Sequence, residues 1–578
     1  MKRTAYSHQK LKDAVSISNL SASCRKVANH YRTQNYSCSP DEALLQHSLP
    51  TVLPALREAV LDGAYSFQPL RPYYAIKPSG SVRMETMSSP FDRILIQAVL
   101  NLPGYRLQQA MSAAAQWNGY LVAPAYRFRH PRAAYAFSYW PADYRAYRRL
   151  ALTMARRVPD GIALHADIQT FFPSVRRRRL QTLLEPWIGK EVWPWIERYL
   201  DFSVEQADGV QPLWDGLPIE EPMSSLLANL YLEEFDRFVL KTLQTPYCRY
   251  VDDFMFFVPN KRSAHEVRLR VEEFLATRLG LALNSNKVED LPARVLLQTS
   301  AAHFSRRLSM VNHKVRMLEI QPALRAELSQ ILVDMVNDLP SPNAQESIET
   351  TQRLRAAKFA TWRLARIKAR DQIQRISLLL EDRRTRLIAG IALAYLGENQ
   401  AVRSLMAWLA KEGSTLLPQE IRTLAAALIR NGHILALVNL EQIAPNNAEL
   451  CALVRLQQCR RTQWCAAIEN PDPLIRRAAT LHLLGRRDKG RAFASLLCEA
   501  AKAEQHRDTL LAMLVTLAEN REQAGVFSQL EEMAIHADPF VARFAAGLVS
   551  KAQDTATLNQ SDHTTSATLG YNACTNAT

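Results

Sequence analysis

Two adjacent acids interrupt an otherwise apolar, aromatic run in "CRYVDDFMFFV", residues 248–258. Residues 247–251 and 254–258 are both rich in aromatic and β-branched side chains, so each half predicts a strand, with Asp252 and Asp253 at the tight turn between them. Upstream, "GIALHADIQTFFPSV", residues 161–175, carries a core-strand run over 162–168 with Asp167 at its end; Phe171, Phe172 and Pro173 follow where the chain leaves the sheet. "GLPIEEPMSSLLANLYLEEFD", residues 216–236, opens on a Gly/Pro turn and continues as an amphipathic helix that turns Leu226, Leu227, Leu230 and Phe235 toward a core. After the hairpin the pattern predicts a helix from about Val267 to Arg278, a turn, and then Lys287. Strand, helix, hairpin, helix is the order of an α+β sheet. From about Gln321 the pattern changes to all-helical, poor in Gly and strand formers and rich in Ala, Leu and Arg.

Two adjacent acids inside an apolar run raise a chemical question. Like charges held together raise one another's pKa unless a cation neutralises them, and a divalent metal is the strongest such partner. An isolated Asp-Asp pair is also an ordinary surface turn. The third carboxylate, Asp167, tips the balance because it stands at a strand end that can meet the hairpin tip.

"ADIQTFF", "GLP…PMSSLLANLYL", "YVDD" and "LGLALNSNKVE" resemble, in this order, motifs A, B, C and D of reverse transcriptases. "YYAIKPSGSVRMETMSSPFDRILIQAVL", residues 73–100, and "APAYRFRHPRAAYAF", residues 123–137, are similar to the fingers blocks of the same family. The resemblance covers roughly residues 50–300. It implies right-hand polymerase fingers and palm, with nucleotidyl transfer from dNTPs, an RNA template or associated non-coding RNA, and a DNA product. In that chemistry two Mg²⁺ ions, or Mn²⁺, clamp the attacking and leaving oxygens, and hard cations prefer oxygen donors. By resemblance the metal set is Asp167, Ile168 through its main chain, Asp252 and Asp253, with Asp253 the supporting acid. Lys77 and Arg83 match the residues that hold the triphosphate, as a point charge and a fork suit that task; a solvated basic loop is the plain alternative. Ser224 falls in motif B as a nucleotide contact. Lys287 matches the motif D proton donor to pyrophosphate, against a surface lysine. Phe172, five positions after Asp167, matches the bulky residue that excludes a 2′-hydroxyl, against ordinary core packing.

The balance of 71 Lys+Arg against 56 Asp+Glu gives a net charge of +15, which suits a polyanionic partner. "VRRRRL" and "YRFRHPR" mix Arg with aromatics as a phosphate-and-base groove would, or as a solvated helix face. Eight cysteines without paired CxxC spacing read as reduced thiols of a cytoplasmic protein. No apolar run approaches a membrane span, and "MKRTAYSHQK" leads into no signal-peptide core.

In the second half, "DPLIRRAATLHLLG", residues 472–485, and "DPFVARFAAGLVSK", residues 538–551, echo each other, with looser relatives at 383–397 and 420–432. An Asp-Pro turn before a helix with small residues on its packing face resembles HEAT-like α-repeats; an irregular bundle is the alternative. The expected organisation is an N-terminal extension and fingers over 1–160, palm over 161–300, a thumb-like helical connector over 301–370, HEAT-like repeats over 371–552 and a disordered tail over 553–578. A reverse transcriptase core followed by such repeats resembles the Abi-like and unknown-group bacterial enzymes, which implies anti-phage defence, and a homo-oligomer is a further expectation. An RNA-dependent RNA polymerase, or a catalytically vestigial repeat scaffold, is the alternative. Motif B departs from its relatives: Ile219 and Glu220 stand where Gln-Gly is usual, Glu220 and Glu221 put negative charge near a phosphate path, and no primer-grip segment follows Glu289. Weak dependence on an annealed primer follows, with Tyr571 in the polar tail as candidate priming hydroxyl, against an inert terminus.

Overall fold

The computed structural model describes residues 10–33, 40–76, 82–206, 209–212, 214–219, 222–298, 310–315, 317–318, 321–342, 348–445, 447–457, 461–484, 487–520 and 525–561. Lys77, Glu220, Glu221 and Tyr571 lie outside them. The chain divides into two compact units, Met1–Leu45 with Ser66–Arg460, and Gln46–Tyr65 with Arg461–Thr578. The boundary expected between 370 and 371 thus falls inside the first unit.

In the first unit, β1 (Arg71–Ile76) and β2 (Val82–Met87) form an antiparallel hairpin. Helix α1 (Pro90–Ala114) follows, with Pro in its first turn and the Ser89 hydroxyl accepting from the Phe91 amide at 3.4 Å. Next come α2 (Trp140–Ala155), β3 (Ile162–Asp167), α3 (Pro222–Tyr231), α4 (Glu233–Phe238), β4 (Tyr247–Tyr250), β5 (Asp253–Val258), α5 (Lys261–Phe274) and β6 (Glu289–Pro292). The four palm strands make one antiparallel sheet in the order β6-β3-β5-β4.

Both faces of this sheet are covered, which is why its strands read as continuous apolar runs rather than alternating ones. On one face Ala163, Cys248, Met255 and Phe257 pack with Tyr147, Leu150, Ala151 and Met154 of α2. On the other, Phe235 of α4 meets Phe254 with ring centroids 4.9 Å apart, and Phe256 lies 5.7 Å from Tyr247.

The strands β3, β4 and β5 end within one residue of expectation, and three other elements differ more. The helix expected across 222–236 is two, α3 and α4, separated at Leu232. Helix α5 begins six residues earlier than the expected Val267, because the Asn260 side chain caps it by accepting from the Ser263 amide at 2.9 Å. Strand β6 had no counterpart in the sequence reading.

From residue 324 onward the described elements are all helical. In the first unit α6 (Leu324–Asn337), α7 (Ile348–Arg366), α8 (Arg386–Leu396) and α9 (Pro418–Arg430) share a core through Leu328, Leu332, Ala360, Leu364, Ala389, Leu393, Leu424 and Leu428. In the second unit α10 (Pro473–Leu481), α11 (Arg507–Glu519) and α12 (Pro539–Ser561) include both Asp-Pro segments. Asp472 accepts from the Leu474 amide and Asp538 from the Phe540 amide, each at 2.8 Å, so the Asp-Pro pair is a helix start, with the cap just before Pro. Helix α12 runs to Ser561, so the first residues of the tail expected over 553–578 are helical, since the Ala, Gln and Leu after Lys551 continue a helix already nucleated; the rest of that tail lies outside the described residues.

Candidate active site

β3 and β5 pair antiparallel with Asp167 opposite Asp253, and β4 pairs with β5 so that Tyr250 also stands opposite Asp253. Val251 and Asp252 are left as the two-residue loop, in place of the expected Asp252 and Asp253, because Asp253 is already paired with both neighbouring strands. Tight hairpin loops of this length need positive φ, and Val251 adopts φ 63°, a conformation a β-branched side chain resists. The Ile168 amide donates to the Asp252 carbonyl at 3.2 Å, so the end of β3 is tied to the hairpin tip through the main chain.

Around this junction the charges are closely placed. Asp167 accepts from the Lys287 ammonium at 2.9 Å and from the Asn284 amide group at 3.5 Å. Burial, and then the Asp167 charge beside it, push the Asp252 carboxyl up to about 7, with Asp253 adding and Lys287 opposing. Lys287 is partly desolvated, which works against its charge, yet the hydrogen bond and charge of Asp167 hold its pKa above the ordinary lysine value.

Asp253 is turned to another partner: its Oδ1 lies 2.6 Å from His165 Nε2. Burial disfavours the charged imidazole, but the hydrogen bond and charge of Asp253, with Glu289 and Asp167, raise its pKa. His165 was missed in the sequence, although a signal was present: it stands two positions before Asp167 on one strand, and residues i and i+2 share a face.

Among the described residues no three His, Cys, Asp or Glu side chains converge as a preformed metal cage. The Asp167–Asp252 pair nonetheless fits a hard divalent cation. Both donors are carboxylate oxygens, and a cation bound between them would offset both the burial and the Asp167 charge that lift the Asp252 carboxyl.

The other expected residues fall as follows. Phe172 is half-buried, with its ring 5.6 Å from that of the buried Phe171. Its carbonyl accepts from the Leu217 amide at 2.8 Å, and a Cβ at Gly216 would collide with that carbonyl and with Pro173. The glycine is what lets the 216–219 loop approach the turn after Asp167. Thr86 of β2 donates to the Ile219 carbonyl through its amide at 3.1 Å and its hydroxyl at 2.8 Å, so this hairpin is fastened to the same loop. Arg83 is exposed on β2 and pairs with Glu85 at 2.8 Å. Ser224 is fully buried on α3 with its hydroxyl unpartnered among the described residues, a place where it packs rather than faces solvent.

Residues 77–357 match the family described as reverse transcriptase (RNA-dependent DNA polymerase). The chain carries a reverse transcriptase domain. It is a nucleotidyltransferase, an RNA-directed DNA polymerase, and the paired strands that present Asp167, Asp252 and Asp253 lie inside the matched span. Protein YkfC of Escherichia coli (strain K12) is 23% identical over 290 residues, covering 43% of this chain and 70% of that protein. Among solved structures, telomerase from Candida albicans in complex with a TWJ fragment of telomeric RNA matches with a TM-score of 0.29 and 10% identity, over 74% of this chain and 70% of that one. Apo telomerase from Candida tropicalis matches with the same TM-score and identity, over 66% and 67%.

Proposed function

We propose that this reverse transcriptase adds deoxynucleotides through a two-metal site held by Asp167 and Asp252, with the Ile168 main chain beside them and Asp253 as the supporting acid. The observation that carries the reading is the pairing of β3 with β5 and the main-chain hydrogen bond from Ile168 to Asp252, which bring Asp167 to the hairpin loop; burial, and then the Asp167 charge, raise the Asp252 carboxyl there. When bound, Mg²⁺ or Mn²⁺ would supply charge neutralisation of the attacking 3′-oxygen and the departing pyrophosphate. Asp167 and Asp252 provide the oxygens that receive it. Lys287, within hydrogen-bond distance of Asp167 and held protonated, is placed to give a proton to the leaving group. His165 holds Asp253 in one orientation. Phe172, its backbone pinned by Gly216 and Leu217, serves as the sugar gate that favours deoxynucleotides.

The wider reading keeps an RNA template, weak dependence on an annealed primer with the tail hydroxyl of Tyr571 as candidate primer, HEAT-like repeats in the helical half, a cytoplasmic setting and a role in anti-phage defence. The defence role rests on the resemblance of the motif order and the helical half to Abi-like enzymes.

Asp252→Ala tests the metal site. Purified protein, with or without nuclease treatment, is incubated with labelled dNTPs and Mg²⁺ or Mn²⁺, and the variant is expected to lose incorporation by at least about 100-fold while keeping its helical circular-dichroism spectrum. Wild-type-like incorporation by the variant would overturn the assignment.

A further inference from the structure

We propose that Arg249 is a positioning residue for Asp252: its buried guanidinium holds the carbonyl of Val251 and thereby keeps the hairpin loop in the strained form that presents the catalytic carboxylate. This rests on the assignment of Asp252 to the metal site.

The Arg249 side chain is 2% exposed. Its Nε and Nη2 donate to the two carboxylate oxygens of Asp236 on α4 at 2.6 and 2.8 Å. Its Nη1 donates to the Asn229 side-chain oxygen on α3 at 2.8 Å and to the Val251 carbonyl at 3.2 Å. The acceptors are themselves fixed. Asp236 also accepts from the Tyr247 hydroxyl, and Asn229 donates to the Ala125 carbonyl at 3.0 Å. The Arg249 amide donates to the Val122 carbonyl at 2.9 Å. A planar fork held at three of its donors cannot swing, so the fourth contact is a fixed point.

The neighbour it fixes is the one that needs fixing. Val251 stands at φ 63°, where Gly is the ordinary occupant and a branched side chain persists only if the surroundings impose it. The next residue is Asp252. If Arg249 were only a core ion pair, an apolar side chain of similar volume would serve as well, since buried pairs seldom add net stability over such replacements. The geometry instead spends one donor on the backbone of the loop, and displacement of a reacting group by about 1 Å costs on the order of 100-fold in rate.

A double-mutant cycle of Arg249→Lys and Val251→Gly tests this. Lysine keeps the charge that faces Asp236 but loses the fork; glycine makes positive φ intrinsic to the loop. Two readouts are taken on the full chain: dTTP incorporation on poly(rA)·oligo(dT) with kcat and KM separated, and Mn²⁺ affinity without nucleotide, by electron paramagnetic resonance. Arg249→Lys is expected to lower kcat by about 10- to 100-fold, with KM for dTTP changed less than about 2-fold, and to weaken Mn²⁺ binding about 10-fold. Adding Val251→Gly to Arg249→Lys should restore most of both losses, a gain it does not give the wild type. Unchanged Mn²⁺ affinity in Arg249→Lys, or an equal factor from Val251→Gly in both backgrounds, overturns the proposal. Should Arg249→Lys fail to melt cooperatively, Arg249→Met with Asp236→Asn, which leaves no charge buried, takes its place in the cycle with the same outcomes. A wild type that binds Mn²⁺ but incorporates nothing would count against the polymerase mechanism and not against this tether, which the metal readout then decides.

Discussion

Asp252 is held in a place where its negative charge is costly. Its carboxyl stands near 7 in the metal-free protein, above the ordinary value of about 3.9 for an unfolded chain. A raised carboxyl pKa means that the folded state keeps a proton the unfolded state has released. Stability is therefore lost as pH rises from about 4 to about 7, and the full cost, on the order of 4 kcal/mol, is present above 7. Asp252→Asn should accordingly raise the melting temperature of the metal-free protein at pH 8 and change it little at pH 4. Mn²⁺ binding to the wild type should tighten from pH 6 to 8 as the competing proton leaves, which calorimetry in buffers of different ionisation enthalpy will register as proton release. A melting temperature for Asp252→Asn equal to or below wild type at pH 8 would contradict this. That Asp167 and Asp252 belong together was readable from two strand patterns. That Asp253 pairs with His165 was not, because 88 residues separate them and a lone histidine in a strand has no spacing that names its partner.

At the scale of elements, the hairpin β4–β5, the strand β3 and the 216–219 loop form one frame. The first two were legible because burial on both faces imposes unbroken aromatic and β-branched runs on the sequence. The loop was not, since its role depends on backbone proximity: Gly216 lies against the Phe172 carbonyl, and the Ile219 carbonyl is taken by Thr86. The departure from Gln-Gly in motif B therefore leaves a main-chain anchor to β2 in place. Gly216→Ala should force this loop away from the turn that carries Phe172, while Phe172→Ala removes the ring itself. Both are expected to raise GTP relative to dGTP incorporation, by about 10- to 100-fold for Phe172→Ala and by less for Gly216→Ala. An unchanged ratio in Phe172→Ala would return that ring to plain core packing. The buried place of Ser224 belongs here too: motif position suggested a nucleotide contact, and helix phase put the side chain inside.

At the scale of the molecule, the helical half does not separate as a simple C-terminal attachment. Residues 324–457 share the first unit with the polymerase sheet, and Arg355 of α7 donates to the Tyr144 hydroxyl of α2 at 2.8 Å. In the second unit, residues 46–65 complete the helices from 461 onward: Tyr65 meets Phe540 with ring centroids 5.3 Å apart and accepts from Arg507 at 3.1 Å. Val52, Leu53, Leu56 and Val60 are buried, so a truncation after Arg460 should strip their cover and yield aggregated or protease-sensitive protein, whereas residues 461–561 co-expressed with a 46–65 peptide should gain protease resistance. A monodisperse, cooperatively melting 1–460 fragment would refute this. By itself the sequence determined the three strands β3, β4 and β5, the Asp-Pro turns before helices and the acids near the strand ends, because each is written in a local period or a turn preference. Only the tertiary structure decided which groups those acids meet, where Arg249 spends its donors, and which N-terminal segment joins the last helices. Apart from the contact of Arg249 with Val251, two residues on, those contacts span 13 to 442 residues, and pairing over such distances depends on how packed surfaces meet, which no local pattern encodes.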